Sequence, residues 1–172
     1  MKQHDFKVSL AKSSAQVDAW WWLDVYREAF PDLAVSTSVR NDGWAQRGGI
    51  DRVLTLNSGK TLTVDEKVRS SEYNDILLEY WSDEGRKIRG WVAKDLACDF
   101  IAYAFEQSGR CYLLPFQSLR RAWRKNGRVW VGSYRRVVAQ NKGYVTVSVP
   151  VPTAILMDAI RDAMIVTWDT TK

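Results

Sequence analysis

Apolar and polar residues alternate most clearly between Gly48 and Arg69, where two β-rich runs flank Asn57-Ser58-Gly59. This pattern predicts a hairpin. Asn57-Ser58-Gly59 suits a three-residue loop, a type I turn closed by a residue in the left-handed region that glycine adopts cheaply. Counting outward, Leu56 faces Lys60, Val53 faces Thr63 and Asp51 faces Asp65. Asp65 and Lys67 then share one face and Glu66 points to the other. A two-residue Ser-Gly turn would instead set Asp51 opposite Glu66.

The remaining elements follow from period and punctuation. Ser13 or Ser14 caps a helix running to about Phe30 and stopped by Pro31, with Val17, Trp20, Trp21 and Val25 as its apolar stripe. Pro31 to Gln46 reads as a loop. Asp75 to Ser82 reads as a strand, Lys94 to Cys98 as one helical turn, and Asp99 to Phe105 as a strand covered on both faces. Arg110 to Leu114 is a further strand closed by Pro115. A helix from Phe116 to Asn126 carries Phe116, Leu119 and Trp123 on one stripe and ends at Gly127. Val129 to Val138 and Gly143 to Val151 read as strands. Thr153 caps a closing helix that packs through Ile155, Ile160, Met164 and Val166. This order predicts an α/β (α+β) fold in one domain, a central mixed β-sheet flanked by helices.

The open end of the hairpin carries the candidate chemistry. Asp51 and Asp65 repel at close range, and a divalent cation relieves that repulsion. All-oxygen ligands select Mg²⁺ or Mn²⁺ over zinc. Lys67 beside them could orient or help deprotonate a water while the metal polarises a phosphate. The plainer alternative is a surface hairpin with cross-strand charge pairs worth tenths of a kcal/mol. On the first helix, Glu28 lies near Asp24 on the adjacent turn. Gln46 and Arg47 lead directly into the hairpin and could reach a phosphate or the attacking water.

Asp51, thirteen intervening residues and Asp65-Glu66-Lys67, after an acid-bearing helix and before further strands, resemble the PD-(D/E)XK nuclease superfamily. The flanks Gln46-Arg47, Gly49-Ile50-Asp51-Arg52-Val53-Leu54, Gly90-Trp91 and Asp99-Phe100-Ile101-Ala102-Tyr103 are similar to its small phage-type members. The resemblance covers roughly the first two thirds of the chain, and Ile50 stands where the motif's proline would. It implies a restriction endonuclease-like fold and Mg²⁺-dependent cleavage of DNA, with Mn²⁺ able to substitute. Asp51 and Asp65 take the acid positions, the Glu66 carbonyl helps hold the metal, and Lys67 activates water. Glu28 or Asp24 would add an outer acid, the alternative being a solvated helix carboxylate. Many relatives cut two strands as homodimers, so a homodimer is compatible with the resemblance.

Charge adds a partner. The chain is 172 residues with a formal charge of +5, yet from Gln107 to Met157 it has nine Lys or Arg and no Asp or Glu, which leaves −4 for the remainder. Segregation of this kind suits a phosphate-binding face. Arg69, Arg120, Arg121, Arg124 and Lys125 are the candidate backbone contacts, with DNA ahead of RNA as ligand. Two readings compete with cleavage: a catalytically inactive nucleic-acid-binding domain of the same fold, and a basic face that meets an acidic protein. Cys98 and Cys111 have no metal-ligand spacing, and the single histidine, His4, lies near the start of the chain. Zinc sites and histidine triads are therefore not indicated. Two unpaired thiols, no leader-like opening and no apolar run approaching ~18 residues point to a cytoplasmic chain without membrane contact.

Overall fold

The computed structural model describes residues 19–171; His4 and the proposed caps Ser13 and Ser14 lie outside them. The fold is α+β. A mixed six-stranded sheet has the order β1 (Leu33–Ser38), β2 (Arg52–Leu56), β3 (Thr61–Arg69), β6 (Phe100–Phe105), β7 (Arg110–Pro115), β10 (Met164–Thr167). Among the described residues only β3 and β6 pair in parallel in this sheet. Between these two strands the chain leaves to start a second sheet. This one is antiparallel, with order β5 (Ile88–Arg89), β4 (Asp75–Asp83), β9 (Tyr144–Pro152), β8 (Val137–Asn141). The expected central mixed sheet is present, and the second, four-stranded sheet is an addition to it.

Each face of the six-stranded sheet has its own core. On one side α1 (Trp21–Ala29) presses Trp21, Trp22, Val25 and Tyr26 onto Leu54, Val64, Ala104 and Leu113. On the other, Ile101, Tyr103 and Leu114 meet the second sheet through Leu78 and Val149, and meet α3 (Phe116–Ser133) and α4 (Thr153–Ala159) through Leu119 and Leu156. The Tyr103 hydroxyl accepts a bond from the Leu77 N–H at 3.2 Å and ties the two sheets together.

Several local expectations change. Trp20 is 46 % exposed and leaves the buried stripe of α1. The loop before the hairpin contains β1, an edge strand exposed along much of both faces, and α2 (Gly43–Gly48). Asp42 caps α2 by accepting from the N–H groups of Trp44 and Ala45, and Gly49 ends it at φ 67°. Helix α3 continues through Gly127 to Ser133, because that glycine lies buried beneath the Trp123 ring and needs no turn there. The strand expected from Val129 therefore begins only at Val137. The closing helix stops at Ala159, and Met164 to Thr167 instead form β10 against β7. Thr153 does not cap α4; its N–H bonds the Asn74 carbonyl at 3.0 Å.

Candidate metal and phosphodiester site

The hairpin has the register set by a three-residue loop, with Val53 opposite Thr63 and Arg52 opposite Val64. Beyond Arg52 the chain peels away from β3. The Asp51 N–H bonds the Val64 carbonyl at 2.8 Å, and the Asp51 carbonyl accepts from Val39 at 2.9 Å. With no backbone left opposite Glu66, its N–H is taken by the Asp51 carboxylate, Oδ2 at 2.8 Å. The N–H and C=O of one strand residue point to the same side, so the Glu66 carbonyl also faces Asp51 and not β6.

Asp65 stands on the face that carries Ile101 and Tyr103, since β3 and β6 pair Asp65 with Ile101 and Lys67 with Tyr103. Its side chain is 6 % exposed and its Oδ1 receives Lys67 Nζ at 2.6 Å. Burial pushes the Asp65 carboxyl up to about 6; Lys67 opposes this, and the adjoining Asp51 carboxylate reinforces it as a like charge within hydrogen-bonding reach. Asp51, Asp65 and Lys67 therefore lie near one another, although Asp51 is not paired opposite Asp65 as counting along the hairpin predicts, because the ladder ends at Arg52 and Val64. Two abutting carboxylates plus a backbone carbonyl form an all-oxygen set that fits Mg²⁺. Among the described residues no group of three or more His, Cys, Asp or Glu is gathered as a metal cluster, and Mg²⁺ commonly uses one or two carboxylates with water completing its shell.

The Glu66 carboxylate occupies the opposite face. Arg52 Nε reaches Glu66 Oε1 at 2.6 Å, the Tyr26 hydroxyl reaches the same oxygen at 2.7 Å, and Arg40 Nη2 reaches Oε2 at 2.9 Å. Arg40 Nη2 also lies 3.4 Å from Asp51 Oδ2, so it bridges the buried cluster to the candidate site. Parity along the strands carried a signal for this cluster: Arg52 and Glu66 both fall at positions of the apolar face.

Other expected site residues are distributed differently. Glu28 is exposed in the last turn of α1, and α1 packs on the face opposite Asp51 and Asp65, so Glu28 is not brought to the pair. Asp24 is on that helix too. What α1 supplies is Tyr26. Gln46 donates to the Arg40 carbonyl, and Arg47 stacks over Trp44 with its guanidinium 4.5 Å from the ring centroid. Arg69 pairs with Asp75 at 2.8 Å and lies over Tyr73. Arg120 bonds Asp95 at 2.5 Å and Arg121 bonds the Ser118 hydroxyl at 2.7 Å, while Arg124 and Lys125 are exposed on α3.

Sequence reading missed Glu79. It sits on β4 within electrostatic reach of Lys67 and Lys94, and receives a hydrogen bond from the Trp91 N–H. Burial raises its carboxyl pKa against the pull of both lysines. The turn that brings Trp91 there needs Gly90, where an added Cβ would stand 2.3 Å from the Glu79 carbonyl oxygen. Trp91 in turn holds its ring 6.0 Å from Lys67 Nζ. Cys98 is close enough to feel Asp65, but burial pushes its thiol to about 12, so it stays protonated. A groove of 730 Å³ adjoins the Trp91 turn, between β4 and α3.

Comparison with protein-family models, with curated proteins and with solved structures gave no match to this chain. No helix among the described residues is long and apolar enough to cross a membrane.

Proposed function

We propose that this chain is a metal-dependent phosphodiesterase acting on nucleic acid, DNA ahead of RNA, with a site and fold of the PD-(D/E)XK, restriction endonuclease-like kind. The observation that carries the reading is the convergence of Asp51, Asp65 and Lys67 at the open end of the β2–β3 hairpin, with Asp65 raised to about 6 beside Asp51. Asp51, Asp65 and the Glu66 carbonyl would hold Mg²⁺ or Mn²⁺, and that ion, when bound, supplies Lewis acidity toward a phosphate oxygen and lowers the pKa of water.

The chain's own groups do the rest. Asp51 is held in place by the Glu66 N–H and by Arg40. Lys67 keeps one N–H on Asp65 and, with its side chain 31 % exposed, directs the remaining donors toward solvent, where they orient a water or a phosphate oxygen. Glu79 lies close enough to Lys67 for their charges to attract. Trp91 shields the pair on one side.

The test is incubation of labelled single-stranded, duplex and branched DNA with Mg²⁺ or with EDTA. Cleavage that needs Mg²⁺, and that Asp65→Asn abolishes while binding persists, supports the reading. Binding with no cleavage under any divalent ion would leave a nucleic-acid-binding domain in its place.

A further inference from the structure

The groove beside Trp91 combines two kinds of lining. Arg89 comes from β5, and Arg120, Arg124 and Arg128 come from one stripe of α3 at four-residue spacing; among the described residues no Asp or Glu lines it. Its other surface is aromatic. Tyr80 and Trp81 come from β4 and Trp123 from α3, with the Tyr80 and Trp123 rings 6.1 Å apart and 29° from parallel.

Consecutive strand residues normally point to opposite faces. Here the pairing of β4 with β9 shifts between Glu79 and Trp81, leaving Tyr80 as an extra residue. That bulge re-aims the strand, so Tyr80 and Trp81 both reach the groove while Glu79 stays with Lys67. Val92 and Ala93 line the groove directly after Trp91, which faces Lys67. The turn from Gly90 to Ala93 thus contributes both to the groove lining and to the surroundings of Lys67.

We propose that this groove binds a single-stranded stretch of nucleic acid leading to the scissile phosphodiester, with phosphates on the arginines and bases against Trp81 and Tyr80. It rests on the phosphodiesterase reading for the reason a strand should end at Asp51 and Asp65. A duplex hides its base faces in its own stack and offers phosphates alone. A cationic groove with accessible aromatic rings matches unpaired bases joined by phosphates. A free nucleotide shares this chemistry, and competition separates the two.

The experiment measures fluorescence anisotropy of a labelled oligothymidylate of about a dozen nucleotides with the full chain in EDTA, so that no cleavage is needed for the readout. The oligothymidylate is expected to bind at least about tenfold tighter than a duplex of equal length. Each phosphate held should contribute about −0.7 to the salt-log slope. Arg124→Ala with Arg128→Ala should weaken binding about tenfold and flatten that slope by about 1.4. Trp81→Leu should weaken binding about five- to fiftyfold with the slope unchanged. Circular dichroism of each variant establishes folding, and the two exposed arginines keep the test available if the tryptophan variant fails to fold. Equal affinity for duplex, indifference to the arginine pair, or displacement of the strand by thymidine monophosphate at the strand's own concentration would overturn the proposal. Strand binding without Mg²⁺-dependent cleavage would instead overturn the phosphodiesterase reading and leave the groove standing.

Discussion

Asp65 is a carboxylate kept 6 % exposed beside a second carboxylate, with one ammonium to offset both losses. Its folded pKa of about 6 lies above the ordinary range, so in the metal-free protein the folded state binds the extra proton. The associated stabilisation is full below about pH 4 and is lost as pH rises through about 6. Urea denaturation in EDTA should therefore show stability falling across that window, with the slope removed in Asp65→Asn. If metal-dependent cleavage is present, Asp51→Asn or Asp65→Asn should lower kcat by about a thousandfold or more, since several kcal/mol of charge stabilisation go with the lost ligand. Glu66 has a different role. Its side chain has no exposure and accepts from Tyr26, Arg52 and Arg40, so Glu66→Ala should destabilise the fold by about 3–5 kcal/mol in a denaturation midpoint.

At the scale of elements, the turn from Gly90 to Ala93 organises both the candidate site and the groove. Gly90 touches the backbone of β4, and its N–H bonds the Tyr80 carbonyl at 2.9 Å. A methyl group there would force that turn off the strand, so Gly90→Ala should cost about 1–3 kcal/mol and move Trp91 from Lys67. A shifted tryptophan emission together with a lowered melting temperature would check it. The hairpin was legible because loop length and alternation fix register together: Gly59, at φ 82°, closes the loop and sets Val53 against Thr63. β1 was not legible, because an edge strand open to solvent has no apolar alternation to read. Gly127 misled because a glycine beneath a tryptophan and a glycine at a helix end look alike in sequence, and only the packing of Trp123 distinguishes them. β10 was hidden because Met164 and Val166 fit a helical stripe as well as a strand, and pairing with β7 decided between them.

Across the whole molecule, the basic segment from Gln107 to Met157 does not form a uniform positive face. Arg110 pairs with Glu72, Arg120 with Asp95 and Arg136 with Glu84, all acids that precede the basic stretch in the chain. Arg124, Lys125 and Arg128 remain exposed on α3. Asp95 is 84 % exposed where it holds Arg120, and its removal should free that arginine. Asp95→Asn is expected to tighten oligonucleotide binding about two- to fivefold at low salt, with the gain shrinking as salt rises. A titration at two ionic strengths measures this.

By itself the sequence determined the hairpin and the identity of the three side chains at its open end, and narrowed its register to two alternatives. These follow from local rules, because a tight loop and a two-residue period leave few alternatives over so short a span. It also determined the supply of charge, but not its placement. Tertiary structure alone decided that Glu28 would stay on the far side of the sheet and that Glu79 would lie within electrostatic reach of Lys67. It alone decided that a bulge in β4 would turn two aromatic rings toward a row of arginines. Those outcomes depend on which sheet face each helix covers and where distant strands pair, and contacts between residues far apart in the chain leave no period to read.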